Sequence, residues 1–181
     1  DALQLLAATI LSAQCTDVRV NQVTPELFRR FPTASCYAAA ELSTLESLIR
    51  STGFFRNKAR SLQGMGRVLV DQFNGEVPAT MDELLLVPGV ARKTANVVLG
   101  TWFGKAEGVV VDTHVKRISA RLELTSHSDP KKVELDLMRL LPRREWITFS
   151  HRLIWHGRRI CSARRQKCMD CSLREWCPTA T

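Results

Sequence analysis

Four cysteines close to the C-terminus, Cys161, Cys168, Cys171 and Cys177, are spaced C-x6-C-x2-C-x5-C. Four thiolates in so short a span meet the ligand count of an iron–sulfur cube or of a structural zinc. Lys93 is a second reactive candidate. It falls in the first turn of an expected helix beside Arg92, where the helix dipole and a like charge both disfavour its ammonium. An unperturbed lysine is neutral in only about one molecule in 2,500 at pH 7, and each unit of pKa depression raises that fraction tenfold. Dipole, like charge and desolvation thus push Lys93 towards an amine nucleophile, while the plainer role is a cation on phosphate. Asp112, after Val109-Val110-Val111, is a third. It reads as the N-cap of a helix over 113–122 and also as a carboxylate able to steady positive charge on a sugar or to move protons.

The elements that must hold these groups are helical. Apolar residues recur at spacings of three and four, punctuated by Pro and Gly. Ser43 and Glu46 predict a capping box ahead of a helix closed by Gly53, and Thr80 with Glu83 predict another. Asp129-Pro130 opens a helix that Pro142 stops. The Val109–Val111 run is the only strand-like segment and is too short to found a sheet, so the fold class expected is all-α. Helices over 80–87 and 92–103 flank Val87-Pro88-Gly89-Val90-Ala91. Gly89 permits a turn closed to most residues, and the free amides opening the second helix, with Arg92, suit a phosphate. An ordinary helix–turn–helix connector is the plainer alternative. The best candidate for a domain junction is Gly104–Gly108.

Composition narrows the partners. The 181 residues carry a net charge of +8, which favours an anionic polymer. From Pro142 onward, nine Arg and Lys face three Asp and Glu, so the basic excess lies around the cysteines. No apolar run reaches membrane-spanning length and no signal peptide is evident, so a membrane partner is not expected. Cys15 and Cys36 stand apart from the cluster and read as ordinary half-buried thiols. With four cysteines gathered, that pattern fits a reducing cytosol. The chain opens directly on an apolar helix at Asp1, which suggests residues upstream.

Together these pieces resemble the endonuclease III family of helix-hairpin-helix DNA glycosylases. VPGVARKTANVV resembles the family's LPGVGRKTA hairpin, VVVDTHVKR its VDTH motif and GFFRNKA its GLYxxKA loop. Ile10-Leu11-Ser12-Ala13-Gln14 resembles the LLSAQ segment, and the cysteine spacing is that of its 4Fe–4S site. The resemblance implies a cluster rather than zinc as cofactor, a preference that the uneven spacing supports. It implies a six-helix bundle over 1–106 carrying the hairpin (80–103) and a cluster domain over 107–181 lacking an N-terminal helix found in relatives. A DNA-binding cleft with the catalytic groups would lie between them.

Lys93 would attack C1′ of a flipped-out damaged nucleotide, and Asp112 would stabilise the oxocarbenium-like state. The implied activity is a bifunctional DNA glycosylase and AP lyase excising oxidised pyrimidines from duplex DNA and cleaving the strand by β-elimination. Gln14 and Phe54 would fill or flank the gap, although Phe54 also has a core reading. Gly89, Arg92, His114, Arg164, Arg165 and Lys167 would meet DNA. A cytoplasmic, nucleoid-associated monomer is expected. The rival readings are a monofunctional mispair glycosylase, against which Lys93 argues, and a non-catalytic iron–sulfur DNA-binding protein. Two departures stand out: Ala91 replaces the second hairpin glycine, and Phe54-Phe55 replaces Leu-Tyr. One extra residue is expected between Lys93 and Asp112, in the Gly104–Gly108 loop.

Overall fold

The computed structural model describes residues 1–180. Among them the regular structure is ten α-helices and four short 3₁₀ turns, with no strand. Val109–Val111 belongs to no helix and pairs with no strand among the described residues; the Val110 amide donates to Ser150 Oγ at 3.0 Å. Residues group into two compact units, Asp1–Gly104 and Lys105–Thr181.

The first unit holds seven helices: α1 (Ala2–Leu11), α2 (Asp17–Arg30), α3 (Ala34–Ala38), α4 (Leu42–Ile49), α5 (Phe55–Phe73), α6 (Met81–Leu85) and α7 (Arg92–Thr101). Helices α3 and α6 are single short turns of five residues. Side chains that need a dry side make α5 the axis of this unit. Its buried stripe is Lys58, Ala59, Leu62, Met65, Gly66 and Leu69, helical spacing that turns one face inward. A core of Leu6, Leu11, Leu27, Leu45, Ile49, Leu84 and Leu99 surrounds it. Gly66 brings α3 against α5: a Cβ there would meet the Ala38 amide nitrogen at 2.5 Å and the Ala34 carbonyl oxygen at 2.6 Å.

The second unit holds α8 (Thr113–Arg121), α9 (Pro130–Leu140) and α10 (Trp146–Arg159), followed by the cysteine segment. Its core is small, with Val109, Val115, Ile118, Val133, Leu137 and Leu153 as the buried apolar residues. A unit of this size with so few buried side chains ordinarily needs a further staple.

Most expected caps are present. The Thr80 hydroxyl accepts from the Glu83 amide, and the Asp129 carboxylate accepts from the amides of Lys131 and Lys132 with Pro130 opening α9. The Ser43–Glu46 box is not formed. Helix α4 begins two residues earlier than that box implies, at Leu42, with Glu41 as an N-cap that makes no side-chain bond, so Ser43 already lies inside the helix. The hairpin helices end at Leu85 and Thr101 rather than at 87 and 103, and α8 ends at Arg121 rather than at 122.

Candidate active site and cysteine centre

Gly89 has φ +82°, and a Cβ on it would lie 2.8 Å from Ser61 Cβ of α5. Only glycine meets both constraints without strain. Ala91, in contrast, has φ −101° and ψ 169°. That is ordinary extended backbone, so the missing family glycine leaves the turn geometry intact. As N-cap of α7, Ala91 supplies no side-chain hydrogen bond. The amides opening α7 are therefore not capped by its side chain, and they sit at the positive end of the helix dipole. Arg92 is half-buried and Lys93 is exposed on this first turn.

Two further loops of the same unit carry strained backbone. Gln14 follows the end of α1 with φ +52°, and Phe54 caps the start of α5 with φ +48°. For an aromatic residue the left-handed region costs on the order of 1–2 kcal/mol. Both side chains are exposed, Phe54 by 64 %, so the core reading of Phe54 is corrected: its ring is presented to solvent. Gly53, just before it, has φ 70° and ψ 156°, a conformation essentially confined to glycine.

In the second unit, Asp112 caps α8. Its Oδ1 accepts from the amides of His114 and Val115, each at 2.8 Å. His114 is half-buried. Its Nδ1 lies 3.2 Å from the Arg117 guanidinium, and a Cβ on Gly157 of α10 would meet that nitrogen at 2.6 Å. The ring thus packs between α8 and α10, a structural engagement that the sequence reading did not foresee.

Cys161, Cys168, Cys171 and Cys177 are all half-buried and line a single cavity of about 200 Å³ with Ile118, Leu122 and Ile160. Tetrahedral zinc holds its sulfurs about 2.3 Å away, hence close to one another. Among the described residues no three His, Cys, Asp or Glu side chains converge enough to hold a single ion. Four thiols around one chamber match the ligand count of an iron–sulfur cube.

The surrounding donors are placed for sulfur. Arg121 Nη1 donates to Cys161 Sγ at 3.0 Å and to the Ser162 carbonyl at 2.9 Å. The Leu173 amide donates to Cys171 Sγ at 3.4 Å. Burial pushes the His156 imidazole, 3.6 Å from Cys171 Sγ, below its ordinary value. The loop between the first two cysteines also has its own frame. Cys161 and Gln166 form an antiparallel bridge, the Lys167 amide donates to the Ile160 carbonyl at 3.1 Å, and the Ser162 hydroxyl bonds the Arg165 carbonyl. Arg164, Arg165 and Lys167 are exposed on it.

Two residues of consequence escaped the sequence reading. Arg121 is one, with no local signal at all. Lys58 is the other: only 5 % exposed, it sits in register with Leu62, Met65 and Leu69 on the apolar stripe of α5. A lysine on such a stripe was a legible anomaly.

Comparison with known proteins places these features in a class. Residues 7–143 match the family described as HhH-GPD superfamily base excision DNA repair protein. Endonuclease III of Synechocystis sp. is 57 % identical over 178 residues, covering 98 % of this chain and 81 % of that protein. Among solved structures, a non-covalent endonuclease III–DNA complex is 46 % identical with a TM-score of 0.92, covering 98 % of this chain and 83 % of the other. A trapped endonuclease III–DNA covalent intermediate, an estranged-adenine complex, has the same identity and a TM-score of 0.93, with 98 % and 84 % covered. The chain belongs to the endonuclease III family of base-excision DNA glycosylases with AP lyase activity.

Proposed function

We propose that this enzyme excises oxidised pyrimidines from duplex DNA, with Lys93 as nucleophile and Asp112 as the assisting carboxylate. The observation that carries this reading is the exposed Lys93 amine on the first turn of α7, in a chain resembling an endonuclease III captured in covalent union with DNA. The free amine adds to C1′ as the damaged base departs and takes up a proton, and the ring oxygen is released as the sugar opens to a protonated imine. Loss of a 2′ proton then breaks the C3′–O bond, cutting the strand on the 3′ side of the lesion, and water frees the lysine. The carboxylate of Asp112 stabilises the positive charge that develops on the sugar before the lysine bonds. Its capped Oδ1 keeps the carboxylate fixed, so that stabilisation costs little reorganisation.

The backbone at Gly89 and the opening of α7, with Arg92, hold a DNA phosphate. Gln14 and Phe54 enter the space vacated by the extruded nucleotide. Arg164, Arg165 and Lys167 meet phosphates from the cysteine loop. His114 serves DNA contact indirectly, by seating α8 on α10. The four cysteines hold a 4Fe–4S cluster whose contribution is structural: it pins a segment that the small core of the second unit does not secure. We place the enzyme in the cytoplasm with the nucleoid, as a monomer on DNA that carries damaged pyrimidines or abasic sites.

Borohydride reduction in the presence of abasic duplex is the deciding experiment. It should yield a covalent protein–DNA adduct, and Lys93→Ala should abolish it; an undiminished adduct in the variant removes Lys93 from the role. Iron and sulfide analysis with visible absorption tests the cysteine centre. A colourless protein holding one zinc would overturn the cluster.

A further inference from the structure

One face at the start of α5 gathers every loop of the first unit that is proposed to touch DNA. Phe54, Lys58 and Ser61 are spaced four and three apart, so they stack on one side of the helix. Phe54 carries the exposed ring, and Ser61 seats the hairpin, lying where a Cβ on Gly89 would come within 2.8 Å. Between them the Lys58 ammonium donates to the Thr52 carbonyl at 2.8 Å. Thr52 is itself 2 % exposed, and its hydroxyl donates to the Ile49 carbonyl at 2.8 Å. Cys15, one residue beyond Gln14, is near enough to act electrostatically on the same ammonium.

Burying a lysine is costly, and burial does push this one below the ordinary lysine value, with the Cys15 thiol opposing the shift. A core methionine would fill the stripe without that cost. The ammonium is not placed for nucleophilic chemistry, being enclosed and committed to a carbonyl. What it holds is the peptide that enters Gly53 and Phe54, the two consecutive positive-φ residues. Such backbone persists only where its surroundings over-determine it.

We infer that Lys58 is a positioning residue, its ammonium locking the Thr52 carbonyl so that Gly53–Phe54 is held in the left-handed geometry presenting the Phe54 ring to the gap in damaged DNA. This rests on the reading of Phe54 as the gap-filling side chain. Preorganising that ring removes an ordering cost which binding would otherwise bear.

The test is a double-substitution cycle in the full chain, using duplex with a tetrahydrofuran abasic analogue for affinity and natural abasic duplex for borohydride trapping. Lys58→Met and Phe54→Ala should each weaken analogue binding about tenfold, and the double variant should be no more than about twofold worse than the weaker single. In Lys58→Met the half-saturating DNA concentration for trapping should rise about tenfold while the rate at saturation falls less than threefold. Wild-type affinity in Lys58→Met, with Phe54→Ala weakened, overturns the role of Lys58 alone. Multiplying effects, near a hundredfold, do the same. Wild-type affinity in Phe54→Ala overturns the reading of Phe54 and this inference with it. Should Lys58→Met not fold, Lys58→Leu, which also lacks a donor, is read by the same criteria. If neither folds, Lys58 is a folding determinant and the inference fails.

Discussion

Asp112 caps α8, and the proposed function gives the same side chain a second, catalytic role. With Oδ1 taking the amides of His114 and Val115, its removal has two consequences that different substitutions separate. Asp112→Ala loses cap and charge together, and should destabilise by roughly 0.5–2 kcal/mol in chemical denaturation. Asp112→Asn keeps the amide-accepting oxygen, so its stability should stay within a few tenths of a kcal/mol of wild type. Base release by the Asn variant should nevertheless drop by about 10²-fold or more, because the amide cannot match the carboxylate's charge. Equal base release by Asp112→Asn and wild type would reduce Asp112 to a cap. The cap was legible before any coordinates, since Asp before Thr-His-Val is an N-terminal signature. That a single oxygen, Oδ1, takes both amides was not, because spacing says nothing about how the side chain is turned.

Helices in the first unit depend on backbones meeting closely, and α5 is where this is sharpest. An Ala at position 66 would gain about 1 kcal/mol of helix propensity. Against that, its Cβ would press on the Ala38 nitrogen at 2.5 Å, the Ala34 oxygen at 2.6 Å and Tyr37 Cβ at 2.7 Å. Two of these neighbours are backbone atoms that cannot swing aside, and overpacking of this kind costs roughly 1–3 kcal/mol or more. The clash should win: Gly66→Ala is expected to lower the urea midpoint, a net loss of about 1 kcal/mol or more, and an unchanged midpoint would show that α3 slides away freely. Gly53 was legible as the close of the helix before α5, while the family-like GFFRNKA stretch read as a loop and not as the start of this helix. The Ser43 box misled because its pattern of residue types also occurs inside a first turn. Only the seating of Glu41 and Leu42 decides where α4 begins.

The whole chain carries a net charge of +8, and three of its exposed cations sit on the Cys161–Cys168 loop. If Arg164, Arg165 and Lys167 each neutralise a phosphate, replacing all three by Ala should reduce the slope of log affinity against log salt by about 2.7. Preference among lesions should stay unchanged, because phosphate contacts position without specifying. A slope equal to wild type would place the loop away from DNA. Membership of the family, the all-α class, the four clustered thiols, the place of Lys93 in a first helical turn, the Asp112 cap and the need for glycine at 89 were all set by residue types at fixed spacing, because each depends on neighbours within about one helical turn or one loop. The exposure of Phe54, the packing of His114 under Gly157, the chamber shared by the four cysteines and the burial of Lys58 depend on contacts among residues far apart in sequence. Those were decided only when the helices packed, since burial and hydrogen-bond partners belong to the assembled core and not to any segment of it.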